Sequence, residues 1–182
     1  YCDQRSTAQV EAIEGAAGRA AYQARTGNTL APGTCAVTSM AWLRDEQPEV
    51  YASARTLAFV NTLLLGRLVG RFVTDPSNAA LSGLADIRDP WRWSPHLLEE
   101  TGIDAARLPQ IQGASEVVGH VTPAAAQETG LAPGTPVVCG CGDVPAAGVG
   151  AGLTAGSGAL YIAGSSDCVA VVLDAPAPDA RP

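Results

Sequence analysis

The sequence contains no lysine, and all eleven of its basic side chains are arginine. That absence excludes a Walker-type phosphate loop and a Schiff-base enzyme, each of which needs a lysine amine. Histidine is scarce as well. His96 and His120 stand alone, and no G-x-S-x-G or H-E-x-x-H run is present, so the sequence signatures of a nucleophile-elbow hydrolase and a helix-borne zinc protease are missing. Long hydrophobic runs are missing too. The best, Leu57 to Leu65, is broken by Asn61 and Thr62 and falls short of the roughly 18 apolar residues of a spanning helix. The start lacks a basic n-region, an apolar h-region and a small-residue cleavage site, so the expected address is cytoplasmic. Positive charge is in the minority, 11 basic against 18 acidic residues for a net charge of -7. Such a balance repels phosphate backbones and anionic lipid, so neither nucleic acid nor membrane is an expected partner.

What is present describes a globular chain. Its 182 residues are 47% apolar and 16% charged, enough for an ordinary core. Five cysteines make an odd number in a chain too long to need staples, and free buried thiols are expected. Cys139 and Cys141 are spaced too tightly for a finger and have no second pair, so no metal site is expected. The chain opens on Tyr1 rather than methionine and closes after the proline-spaced run Ala175 to Asp179; both ends read as cuts.

The spacing of Val10, Ile13, Ala17 and Ala21 predicts one amphipathic helix over Ser6 to Thr26, capped by Gly27. A short helix is expected over Val37 to Arg44 with Pro48 as its breaker. Val50 to Leu68 reads as helical in large part, ending near Gly66 or Gly70. Thr74 to Asn78 and Asp86 to Ser94 read as irregular turns and loops. His96 to Thr101 and Pro123 to Thr129 are expected helices, closed by Gly102 and Gly130. Pro136 to Gly140 is a short, wholly apolar run that predicts a buried parallel strand. Ala159 to Ala163 and Cys168 to Leu173 predict a hairpin turning at Gly164 to Asp167. Alternating helices and strands make the expected class α/β.

Two segments could carry chemistry. Asp143 follows a strand and two glycines and opens a helix, with Pro145 in the first turn, where its missing N–H is not needed. Its carboxylate is either a helix cap or a group aimed into the crevice at a strand's carboxyl end, where it could take a proton from an attacking hydroxyl. Gly164-Ser165-Ser166-Asp167 is either an ordinary tight turn or a nest of N–H and hydroxyl donors for a phosphate. Gly150 to Ala155 matches a relaxed dinucleotide fingerprint but follows helical sequence, so close packing of small residues accounts for it. Trp91 and Trp93 could stack on a sugar or plug a core.

The order of segments resembles the FGGY carbohydrate kinases, and within them the xylulokinase type. Asp3-Gln4-Arg5 is similar to the family's tryptophan-x-aspartate-x-arginine segment, with Tyr1 at the tryptophan. Trp42-Leu43-Arg44 and Pro48-Glu49 resemble the next two landmarks, and Thr74-Asp75-Pro76-Ser77-Asn78-Ala79 the threonine-aspartate-x-serine-asparagine-alanine stretch. Leu108-Pro109, Glu116 to Gly119, Thr129-Gly130-Leu131 and Gly134 to Val138 follow in order. Gly140-Cys141-Gly142-Asp143 stands where the family has three glycines and an aspartate, and Gly164-Ser165-Ser166 where it has glycine-threonine-serine. Ser39 takes the place of a common lysine, and Val144-Pro145 replaces a polar residue after the aspartate.

This resemblance implies an actin-like, ribonuclease-H-like ATPase fold. Residues 1–148 would be the latter part of the sugar-binding domain, and 149–182 the opening hairpin of the nucleotide-binding domain. It implies ATP and Mg2+, a pentulose or related polyol as acceptor, Asp143 as general base, Asp3 and Asp143 near the sugar, Gly164, Ser165 and Ser166 on the terminal phosphates, and a possible homodimer. The family's first phosphate loop would precede Tyr1 and its adenosine loop would follow Pro182, so these residues alone are not expected to turn over. The second reading is a sugar-kinase-like domain that binds a sugar or partner without catalysis.

Overall fold

The structure, a computed structural model, describes residues 3–164 and 167–177. Its first element departs from the expected single helix. α1 (Thr7–Ala17) and α2 (Arg19–Thr26) are separated by Gly18 at φ 75°, ψ 122°, a conformation open to glycine and closed to side-chain-bearing residues. The helix face shifts at the break: Gln9, Val10 and Ile13 are buried on α1 and Tyr22 and Thr26 on α2, whereas Ala21 is exposed. Gly27 caps α2 in the left-handed region, as its sequence position predicts.

α3 (Ala36–Glu46) covers the expected short helix, and Pro48 opens α4 (Pro48–Ser53) at its first position. The helix expected from Val50 to Leu68 is interrupted between α4 and α5 (Val60–Val69). Arg107 explains the gap. Its guanidinium donates to the Ala52 and Ala54 carbonyls, while its own carbonyl accepts the Leu57 N–H at 2.7 Å. The groups that would continue α4 are therefore satisfied across the fold instead of along the helix.

The segment expected to be an irregular turn at Thr74 to Asn78 is the end of β1 (Val73–Thr74), the capping residue Asp75 and the start of α6 (Pro76–Leu81). β1 pairs in parallel with β2 (Gln110–Ile111). α7 (Pro95–Thr101) and α8 (Pro123–Thr129) start on the side-chain caps Ser94 and Thr122 and end on left-handed Gly102 and Gly130, as expected.

β3 (Val117–His120) and β4 (Pro136–Val138) pair antiparallel, which corrects the parallel strand expected at Pro136 to Gly140. An apolar run carries no direction. Here the Val121 N–H donates to the Thr135 carbonyl and the Gly134 N–H to the Val121 carbonyl, 2.9 Å each, so the chain returns through α8 to run back along β3. Nor is the strand wholly buried: Val138 is 48% exposed and only Cys139, just past it, is sequestered. α9 (Asp143–Gly150) follows, and β5 (Ala159–Ala163) and β6 (Asp167–Val171) form the expected hairpin, with Ala159 opposite Val171 and Ala163 opposite Asp167.

Two apolar clusters support this α/β arrangement. The larger joins Val10, Ile13, Tyr22, Val37, Leu84 and Leu97, and the Tyr22 hydroxyl donates to the Gly83 carbonyl at 2.6 Å. The smaller packs Leu65 of α5 against Val73, Val118 and Cys139, which ties β1, β3 and the end of β4 together. No helix among the described residues is long and apolar enough to cross a membrane.

Burial makes a direct prediction for the thiols. Cys35 and Cys139 are 1% and 2% exposed, and loss of water pushes both thiols up to about 11. Near pH 8 both stay protonated, so they are expected to react with a thiol reagent roughly 100-fold more slowly than a free cysteine in an unfolded peptide. Mass spectrometry of labelled peptides over time measures this, and equal rates would show that the two sites open in solution.

Candidate functional site

The site is built from the end of β4. Beyond Val138, the Cys139 N–H donates to the Glu116 carbonyl at 3.0 Å and the Gly140 N–H to the Ala114 carbonyl at 2.9 Å. Gly140 then turns at φ 77°, where the space for a Cβ is open, so the glycine serves conformation and not clearance. Gly142 is extended and caps α9, and Asp143 is the helix's first residue. Asp143 is exposed. Its Oδ1 accepts the Val144 N–H at 2.8 Å, and its Oδ2 takes no hydrogen bond from the described residues. Pro145 occupies the first turn, as expected.

Behind this connector lies a buried polar cluster. Asp75 is 0% exposed. Its Oδ1 accepts from the Ser77 N–H at 2.9 Å, the Asn78 N–H at 3.2 Å and the Ser77 hydroxyl in a short bond. Its Oδ2 accepts from Asn78 Nδ2 at 2.5 Å and Asn61 Nδ2 at 3.1 Å. Five donors on one carboxylate meet the requirement that a buried acceptor be satisfied. Ser77 Oγ in turn accepts the Gly142 N–H at 2.8 Å. Sequence reasoning took Thr74 to Asn78 as a turn and a family landmark. The available signal was an aspartate followed by proline, which is a capping residue before a first-turn proline.

A separate concavity of about 170 Å³ is lined by Asp3, Arg5, Ser6, Ser39, Trp42 and Leu43. The Arg5 guanidinium grips Asp3 with both arms, Nε to Oδ1 at 2.9 Å and Nη2 to Oδ2 at 2.6 Å, and lies 4.0 Å over the Trp42 ring. Those bonds from Arg5 pull the Asp3 carboxyl down to about 2. The pair is thus fully charged at neutral pH and mutually compensated. The floor it makes is polar, offers no net charge, and stands beside an aromatic face. The sequence put only Asp3 near a sugar and offered Arg5, Ser39 and Trp42 as family landmarks; the structure brings the four to one wall.

Asp143 is not among the residues that line this concavity, and no described hydrogen bond joins it to Asp3. Gly164 is an exposed bend after β5; Ser165 and Ser166, expected on the same phosphate-binding turn, lie outside the described residues. Trp93 acts as a plug, its Nε1 donating to the Pro109 carbonyl at 2.8 Å and its ring stacked on Phe59, while Trp91 is exposed. Among the described residues no group of three or more His, Cys, Asp or Glu side chains could hold a metal ion.

Comparison with known proteins matches this arrangement to a family. The profile for the N-terminal domain of the FGGY family of carbohydrate kinases covers residues 1–150. Over 128 residues the chain is 40% identical to the autoinducer-2 kinase of Yersinia enterocolitica, a match that spans 70% of this chain and 24% of that kinase. The fold superposes on a ligand-bound xylulose kinase from Lactobacillus acidophilus with a TM-score of 0.85 at 20% identity, over 96% of this chain and 35% of that one. It superposes on a glycerol kinase from Plasmodium falciparum, solved with ADP, with a TM-score of 0.78 at 21% identity, over 92% and 33%. The chain therefore spans about a quarter of the length of the curated relatives it matches.

Proposed function

This chain belongs to the FGGY family of carbohydrate kinases, its structure is part of that family's actin-like ATPase fold, and from that premise we propose that the whole protein phosphorylates a sugar or polyol hydroxyl with ATP. The observation that carries the reading is the Asp143 carboxylate, presented at the surface on the first residue of α9, just after Gly142, with Oδ2 open among the described residues. A base must reach the proton it removes, and an exposed oxygen with no other described donor meets that condition.

In the proposed reaction Oδ2 of Asp143 takes the proton of the acceptor hydroxyl as its oxygen attacks the γ-phosphorus. The bond from that phosphorus to the bridging oxygen breaks, and ADP leaves with the electron pair. A Mg2+ ion bound with the nucleotide would offset charge on the phosphates, and no side chain of the described residues is assigned to hold it. Gly164, Ser165 and Ser166 are the proposed contacts to the terminal phosphates. The division near residues 148–152 is supported by the family profile's end at residue 150.

The pocket of Asp3, Arg5, Ser39 and Trp42 is the proposed sugar-binding wall. A compensated ion pair presents both donors and acceptors without attracting an ion, and an aromatic face suits the C–H side of a polyol. A xylulose-like pentulose is the favoured acceptor class, and the 40% identity to an autoinducer-2 kinase makes that molecule the second to try. The test is ADP release by the whole protein across pentuloses, hexuloses, glycerol and autoinducer-2. Trp42→Ala is expected to raise KM for the sugar about tenfold and leave KM for ATP within about twofold. No acceptor-dependent ADP release from any of these compounds would defeat the proposal.

A further inference from the structure

We propose that Ser77 is a positioning residue for Asp143, acting through the backbone of Gly142, and that buried Asp75 fixes Ser77 in that role; the inference rests on the reading of Asp143 as the base. Asp143 is exposed, its Oδ1 is tied to the neighbouring Val144 N–H, and no hydrogen bond among the described residues joins it to another side chain. The direction of Oδ2 is therefore set by the backbone at residues 142–144, not by surrounding side chains. That backbone is held from a distant part of the chain. The Gly142 N–H donates 2.8 Å to Ser77 Oγ, 65 residues away in sequence.

The hydroxyl can accept this bond because its single proton is engaged elsewhere. A serine O–H rotates to suit its surroundings, but here it donates to Asp75 Oδ1 in a short bond, which leaves its lone pairs for Gly142. Asp75 is in turn locked by the backbone N–H groups of residues 77 and 78 and the amides of Asn61 and Asn78. The result is a directional chain from a fully buried carboxylate, through one hydroxyl, to the residue preceding the base. Its approach is close: a Cβ at position 142 would lie 3.3 Å from Ser77 Oγ. Small displacements of a reacting group are costly when the geometry must be productive, so loss of this tether should appear in turnover before it appears in binding.

The experiment is a double-mutant cycle in the whole protein. Ser77→Ala is expected to lower kcat by roughly 10–100-fold with KM for sugar and for ATP within about twofold. Ser77→Thr, which keeps the hydroxyl, is expected to recover kcat to within about threefold of the parent. In an Asp143→Asn background, read at high enzyme concentration, Ser77→Ala should cost less than about threefold, because the base it positions is gone. Should the alanine variant not fold, the nearly isosteric Ser77→Cys, a weaker acceptor, is expected to show the same kcat loss. Full kcat in Ser77→Ala or Ser77→Cys overturns the positioning role and leaves the base intact, as does an equal fold loss in both backgrounds. Full turnover in Asp143→Asn alone overturns the base reading, and the positioning role with it.

Discussion

Replacing Asp143 with asparagine in the whole protein is expected to lower sugar-dependent ADP release by roughly 10²–10⁴-fold, the range that a positioned general base contributes. Asparagine keeps the size of the side chain, and its Oδ1 can still accept the Val144 N–H, so α9 and the connector should keep their shape. What disappears is the acceptor at the Oδ2 position, where the amide presents hydrogens to the substrate hydroxyl. Sugar affinity, measured by calorimetry without nucleotide, is expected to change by less than about threefold. A loss of affinity that matched the loss of rate would make Asp143 a binding residue and not a base, and an unchanged rate would remove it from the chemistry.

Replacing Asp75 is expected to have the largest effect on stability. Asp75→Ala leaves five donors without their acceptor around a carboxylate that is itself fully buried. Two of these, the backbone N–H groups of residues 77 and 78, are fixed by the helix start and cannot turn to another partner. A loss of about 3–5 kcal/mol is expected, read as the shift of the urea transition followed by tryptophan fluorescence. Asp75→Asn should cost less, about 1–3 kcal/mol, because Asn78 can turn its amide to face the new NH2 with its carbonyl. An alanine variant within about 1 kcal/mol of the parent would mean that the network does not form in solution.

The two residues are chemically alike and structurally opposite. Asp75 is buried, saturated with donors and one hydroxyl removed from the Gly142 N–H, while Asp143 is exposed and half-occupied. A carboxylate that already accepts five bonds has no capacity left for a substrate proton. One with an open oxygen has. On the proposed reading this difference suits Asp75 to support and Asp143 to reaction, although in the fold both stand at a helix start.

The local grammar of the chain was legible from its residues. The helix ends at Gly27, Gly102 and Gly130 followed from glycine's access to positive φ, and the hairpin at residues 159–171 followed from β-rich runs flanking a glycine turn. Asp143 at the start of a helix was equally readable, as was the α/β class. The helix ends depend on contacts within about four or five residues, and the hairpin on two runs joined by a short turn, which the sequence states directly. The ordered run of landmarks along the chain, more than any single one, also identified the family that the profile match shows.

Tertiary structure decided what depended on partners far along the chain. Gly18 lies inside the run expected to form one helix, and the burial of Tyr22 and Thr26 goes with the break the fold makes there. The direction of β4 was set by its return through α8, and the gap before α5 by Arg107 reaching back to the end of α4. The Arg5–Asp3 pair became a pocket wall only when α3 brought Trp42 beneath it. The hold of Ser77 on the residue before Asp143 spans 65 positions, and no local pattern encodes it. Thus the sequence by itself determined the kind of group at position 143 and the type of element it begins, because capping and backbone propensity are short-range. The fold alone determined how that group is held, because a hydrogen bond between distant segments exists only once packing has brought them together.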